Sequence, residues 1–145
     1  MKKETQDTGY TFWKRPWGKW CVLAGAVLQL AAMEMKLREY RTVIDSGVFS
    51  EQVRAEYIAG TRLSLACSGL LTAMLLGEFL VGCLVRSKKQ ELLAEGVLFL
   101  ALSAAWAAAY WALDLFSARG RTGIFFLVLL LGGAGYCLWK WRGQK

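Results

Sequence analysis

The sequence contains no histidine, a single proline and no closely spaced pair among its four cysteines. Histidine is the most common general base and the most common ligand for zinc and other transition metals. No nucleophile stands beside a base, and no paired acids mark an aqueous surface. We therefore predict a non-catalytic protein without a metal site or a cofactor. Each cysteine falls in or beside an apolar run and is interpreted as a small buried hydrophobic residue.

Long apolar runs dominate what the sequence does contain, since 56% of its 145 residues are hydrophobic. Residues 61–116 hold two runs, each near the ~20 residues that a helix needs to cross a bilayer. The runs do not alternate polar and apolar residues as the strands of a membrane barrel do. The sequence predicts an all-α integral membrane protein in which a basic, aromatic tail (1–19) precedes one transmembrane domain (20–145). Its four transmembrane helices are expected at about 20–44, 51–86, 91–116 and 122–141.

The first two helices are expected to continue beyond the membrane as a short extramembrane hairpin. Apolar residues recur at helical spacing past the charged end of the first run, and a second set follows Glu51. Asp45-Ser46-Gly47 is a turn signal, and Ser50 is suited to cap the second helix. The expected contacts across the hairpin involve Leu37, Tyr40, Ile44, Val53 and Tyr57.

The net charge of +7 arises from Lys and Arg at the ends of apolar runs, where such residues contact lipid headgroups. No compact basic patch is evident, so nucleic acid is not an expected partner. Eleven Lys and Arg fall on the side of the termini and seven on the other, which predicts a multi-pass cell-membrane protein with cytoplasmic N- and C-termini. The expected interfacial anchors are Trp13, Trp17, Trp20, Trp139 and Trp141.

Glu78 is the ionisable residue placed deepest in an apolar run, and a carboxylate at such depth commonly faces a cavity, a partner or a proton path. Glu95 would lie on the same half of the next helix, where the two carboxyl groups could share a proton. Gln29 in the first helix is a candidate hydrogen-bond partner. These residues form either an interhelical polar site or a site of proton coupling, and the structural interpretation is preferred.

Small residues recur on several helices and allow close helix contacts in lipid. Ala101, Ala105, Ala108 and Ala112 form one such stripe, and helix 4 has three central glycines. Two functions remain open. The first is an accessory or assembly subunit, or a self-associating membrane component. The alternative is a homo-oligomeric channel, pore or small proton-coupled transporter that uses Glu78. The bilayer and either a second copy or another membrane protein are the expected partners.

Overall fold

The described residues fold into four α-helices, each antiparallel to the one before it. A computed structural model describes the backbone of residues 16–112 and 116–143, and the side chains of 17–112 and 123–143. Its helices, in chain order, are α1 (Pro16–Asp45), α2 (Glu51–Leu84), α3 (Lys88–Ala112) and α4 (Phe116–Gly143). Each is long and apolar enough to cross a membrane. Two ends of the bundle can be defined: the terminal end, where α1 begins and α4 ends, and the hairpin end, which carries the α1–α2 turn.

Several helix boundaries differ from those expected. Residues 16–19 of the predicted tail belong to α1, which begins at Pro16, because proline fits the first helical turn without losing a hydrogen bond. The segment 117–121, predicted to be a connector, lies inside α4, since one helical glycine costs only about 1 kcal/mol. The described part of α3 runs to Ala112, and Phe116, the predicted last residue of that helix, is the first residue of α4.

The α2–α3 connector is shorter than expected because α3 has a cap at its start. α2 ends at Leu84, and Val85 is extended. Ser87 Oγ accepts a hydrogen bond from the Gln90 backbone N–H at 3.3 Å. The Gln90 side chain accepts one from the Arg86 N–H at 3.4 Å. This exchange resembles a capping box, in which a Ser and a Gln three residues later satisfy the first free N–H groups of a helix.

At the hairpin end, α1 and α2 extend beyond the described part of α3. Gly77 of α2 lies against Leu98 of α3, so the antiparallel register places Ala112, the last described residue of α3, level with about residue 63 of α2. The α2 segment from Glu51 therefore projects beyond the described part of α3 by about 15–20 Å. Gly47 has a φ of 60°, a left-handed conformation that glycine adopts without strain. Ser50 occupies the N-cap position, but its side chain makes no capping hydrogen bond, contrary to the expectation.

The core lies between α2, α3 and α4 and is centred on Leu102, Trp106, Tyr110 and Leu130. Trp106 Nε1 donates a hydrogen bond to the Gly123 carbonyl oxygen at 2.9 Å, which ties α3 to α4. A methyl group on Gly123 would overlap the Tyr110 ring, so the glycine leaves room for that ring. Within the described residues α1 contacts α2 alone. The helices consequently do not close into a four-sided bundle, and a groove remains between α1 and α4.

All four cysteines are free. The expectation that each is buried is wrong for Cys21 and Cys83, which are exposed at the terminal ends of α1 and α2. Cys21 lies on the outward side of α1, next to the buried Val22, since α1 packs on α2 alone among the described residues. Cys137 is buried between α3 and α4, and Cys67 is half-buried beside the core.

Candidate functional site

Three carboxylates from two helices gather near the terminal end of the bundle. Glu78 lies on α2, half-buried, next to Gly77, which packs directly on Leu98 of α3. This contact places Glu78 level with the first half of α3, where Glu91 and Glu95 lie. Both carboxylates interact electrostatically with Glu78. The structure thus brings together Glu78 and Glu95, two of the three residues of the predicted polar site, and adds Glu91, which is 8% exposed.

α4 adds a thiol and an ammonium group to this acidic cluster. The Cys137 Sγ donates a hydrogen bond to Glu95 Oε2 at 3.8 Å. Lys140, one turn further along, interacts electrostatically with Cys137, and its Nζ donates to the Tyr136 hydroxyl at 3.4 Å. Sequence reasoning missed Cys137, which is 42 residues from Glu95 and meets it only through the packing of α3 on α4. Within the described residues, no three His, Cys, Asp or Glu side chains are arranged to hold a metal ion.

Gln29 does not belong to this cluster. Gly25 of α1 lies opposite Leu75 of α2, so Gln29 is level with about residue 71. Glu78 is therefore about 10 Å further along the helix axis, at 1.5 Å per residue. Gln29 instead lines the groove between α1 and α4.

The groove is a cavity of about 610 Å³, within the ~300–1,000 Å³ range of small-molecule sites. α2 and Phe99 of α3 form its floor, while α1 and α4 form its walls. Its lining is mainly leucine, phenylalanine and other apolar side chains. Lys36 is its one charged lining residue among those described, and it lies towards the hairpin end.

Lys36 is held in place by α2. Its Nζ donates a hydrogen bond to Ser64 Oγ at 2.7 Å. The ammonium group also interacts electrostatically with the Cys67 thiol, one turn deeper. Sequence analysis did not connect Lys36 with Ser64, although the two residues end and begin successive apolar runs on either side of the 46–50 turn. Their matching positions on the two sides of the turn could have indicated that Lys36 and Ser64 lie close together.

Four of the five predicted interfacial tryptophans lie in the described residues, and all four are near the ends of helices. Trp17 and Trp20 are exposed in the first turns of α1, and Trp139 is exposed near the end of α4. Trp141 is half-buried. All four therefore lie at the terminal end, while Trp13 falls outside the described residues. Whether these rings meet a membrane interface stays a prediction.

The five residues predicted to pack across the hairpin are only partly buried. Tyr40 and Ile44 of α1 and Tyr57 of α2 are half-buried. Leu37 is 39% exposed and Val53 is 50% exposed, so these two provide less cover than expected. Two helices packed on each other can hide only one side of each, and within the described part of the chain α1 contacts no third helix.

Comparison of this chain with protein-family models, with curated proteins and with solved structures found no match. The fold and the sites described above therefore rest on the chain itself. They define an all-helical protein whose four helices are long and apolar enough to cross a membrane, with an acidic cluster at one end and an open apolar groove.

Proposed function

We propose that the chain is a non-catalytic, multi-pass protein of the cell membrane that acts as an accessory or assembly subunit by packing against another transmembrane protein. The observation that carries this proposal is the outer face of α3. Ala101, Ala105, Ala108 and Ala112 share that face, and all four are exposed. In a bilayer, small side chains favour the close approach of a second helix, because packing rather than water exclusion drives the contact.

The outward glycines of α4 support the same proposal. Gly132 and Gly135 are exposed, and a methyl group on either would meet no atom within 4 Å. Gly96 and Gly123, by contrast, seat side chains of neighbouring helices within the chain. The small residues therefore fall into an inner set, used in folding, and an outer set that a partner helix can use.

A site-specific photocrosslinker tests this proposal in native membranes. We expect a crosslinker at Ala105 to give a discrete higher-mass species that contains the full chain. The matched control is the same crosslinker at Ala24, an exposed alanine on α1. A product of twice the chain mass would identify self-association, and any other discrete mass would identify a distinct partner. Lipid adducts alone at Ala105 would contradict the proposal.

The proposed orientation has cytoplasmic termini and places the hairpin end outside, in line with the eleven-to-seven distribution of basic residues. Single cysteines at Ser46 and Ser87, in a chain without the native four, should react with a membrane-impermeant reagent from opposite sides. We expect Ser46 to be labelled in intact cells and Ser87 only after permeabilisation. Labelling of Ser87 in intact cells would reverse the orientation.

The alternative function, a homo-oligomeric channel or proton-coupled transporter, draws on the acidic cluster around Glu78. A path through one copy finds little support, because Leu102, Trp106, Tyr110 and Leu130 fill the interior beyond the cluster. A path between copies would need Glu78 to face the shared surface. Proton or ion flux in vesicles that contain the purified chain, lost in Glu78→Gln, would favour this alternative.

A further inference from the structure

We propose that the groove between α1 and α4 binds one anionic phospholipid, with an acyl chain along the apolar lining and the phosphate at Lys36. The proposal shares with the proposed function the placement of the chain in a bilayer. It requires no protein partner, and it uses a different surface from the outer face of α3.

The shape and chemistry of the groove favour an acyl chain. The groove is open along one side, between two helices that do not contact each other within the described residues. Its walls and floor include Leu71, Met74, Phe99, Phe126 and Leu130. A flexible hydrocarbon chain can enter sideways from the bilayer and fill such a space, which a polar solute would leave with unsatisfied hydrogen bonds.

The position of Lys36 favours a phosphate at the hairpin end of the groove. Lys36 follows the first apolar run, Trp20 to Met35, and its partner Ser64 lies at the start of the apolar part of α2. Both residues therefore stand at the level where apolar helix gives way to charged residues, which is where headgroups lie in a bilayer. A lipid whose chain follows the groove would have its phosphate at this level.

The charge of Lys36 is available for such a contact. The ammonium group hydrogen-bonds a neutral hydroxyl, whereas the nearby carboxylate of Glu34 is bonded to Arg38 at 2.6 Å. A cation that lines an apolar groove beside a hydroxyl donor is complementary to an anionic phosphate. It offers no comparable advantage to the phosphate of phosphatidylcholine, which its own choline neutralises. The selectivity for an anionic headgroup follows from this difference.

Native mass spectrometry of the full chain tests the site. The chain is reconstituted in vesicles of equal parts phosphatidylcholine and phosphatidylglycerol and then extracted in a mild detergent. We expect one phosphatidylglycerol to be retained per chain in preference to phosphatidylcholine. Lys36→Gln should lower that retention about five-fold, the factor that corresponds to roughly 1 kcal/mol per basic residue at an anionic surface.

Two variants serve as controls for charge and for shape. Arg41→Gln removes the same charge from an exposed position on α1 outside the groove lining, and it should leave retention unchanged. Ala32→Phe keeps the charge but places a ring in the groove, and it should lower retention as much as Lys36→Gln does. Elution as a single species and an unchanged helical circular dichroism spectrum establish that each variant is folded.

Several results would overturn the proposal. Equal retention of the two lipids, an equal loss in Arg41→Gln, or full retention in Ala32→Phe would each exclude a specific groove site. Displacement of the lipid by inorganic phosphate would show that the site binds a free anion rather than a lipid. The crosslink at Ala105 tests only the outer face of α3, whereas lipid retention tests only the groove. The failure of one proposal can therefore be distinguished from the failure of the other.

Discussion

The α3–α4 pair and the α1–α2 pair are both built from long apolar helices, but their side chains interlock to very different degrees. Between α3 and α4, a methyl group on Gly123 would overlap the Tyr110 ring, and one on Gly96 would lie 2.8 Å from Leu138. Between α1 and α2, methyl groups on Gly25 and Gly69 would make ordinary contacts of 3.7 and 3.8 Å. Of the two pairs, only α3–α4 has larger side chains packed directly against its glycines.

This comparison shows why hydrophobicity alone does not determine the packing of such helices. In lipid, an exposed leucine and a buried leucine have similar surroundings, so close fit and hydrogen bonds decide which helices associate. Trp106 provides both for α3 and α4. α1 has a narrower attachment, because among its described residues only Gly18, Val22 and Ala26 are buried. The α3–α4 pair should therefore be the stable half of the molecule and α1 the adjustable one.

Removing the central side chain of the stable half should have the largest effect. Trp106→Ala deletes a ring that is 2% exposed, together with its hydrogen bond to Gly123. We expect a loss of about 3–5 kcal/mol in the free energy of unfolding, measured in mixed detergent micelles. The control, Trp111→Ala, removes the same ring from a site that is 80% exposed and should change stability little. Similar losses in both variants would mean that the core is not where the structure has it.

Adding one methyl group tests directly whether a side chain packs against a given glycine. Gly123→Ala forces the Tyr110 ring to move, so we expect a loss of about 1–3 kcal/mol, as for other overpacked sites. Gly132→Ala, on the same helix, meets open space and should gain about 0.5–1 kcal/mol from the better helix propensity of alanine. The same substitution thus has opposite signs at two positions nine residues apart. Equal effects would remove the distinction between inner and outer glycines.

The number of helices was predictable from the sequence because run length and composition determine it. The helix boundaries were less predictable. The start of α3 could have been predicted, because Ser87 and Gln90 have the spacing of a capping box. The extent of the hairpin was also predictable, since Met33, Leu37, Tyr40 and Ile44 repeat at helical spacing well beyond the apolar run. The absence of contact between α1 and α4 among the described residues could not be foreseen, because nothing in one helix's pattern specifies which neighbour is missing.

The candidate sites were predictable only in part, for the same reason. Glu78 and Glu95 interact electrostatically, since adjacent antiparallel helices bring residues of equal depth near each other. Gln29 has a comparable position in its own run, but the register of α1 on α2 shifts it by about 10 Å. Cys137 and Lys36 act through contacts across 42 and 28 residues, which depend on packing details that no local pattern contains.

The two halves should also differ in their rates of amide hydrogen exchange, and this effect should be smaller than those of the substitutions above. α1 is attached through α2 alone within the described part of the chain, so its backbone should open without disturbing the core. We expect amide hydrogens in the middle of α1 to exchange about tenfold faster than those of residues 102–110 in α3. This factor corresponds to roughly 1.4 kcal/mol. Equal protection of both segments in hydrogen-exchange mass spectrometry would show that the molecule opens as one unit.

The smallest expected effect is that of Glu78, which lies where the two halves meet near the terminal end. If its carboxyl group is protonated and acts as a structural partner, Glu78→Gln preserves the shape, the neutral charge and the hydrogen bonding of the side chain. We therefore expect Glu78→Gln to be nearly silent in stability and assembly.

Glu78→Leu provides the matched comparison, because it keeps an apolar side chain at the site but removes every polar atom. We expect it to cost on the order of 1 kcal/mol, consistent with the modest value of interhelical hydrogen bonds in membranes. A carboxylate in an ion pair would behave differently, since Glu78→Gln would leave the partner's charge unmatched and would reduce assembly. Normal assembly of the Gln variant with loss of ion flux would instead favour the transport alternative. Yield of the assembled protein and flux, measured together for both variants, thus separate the three roles of Glu78.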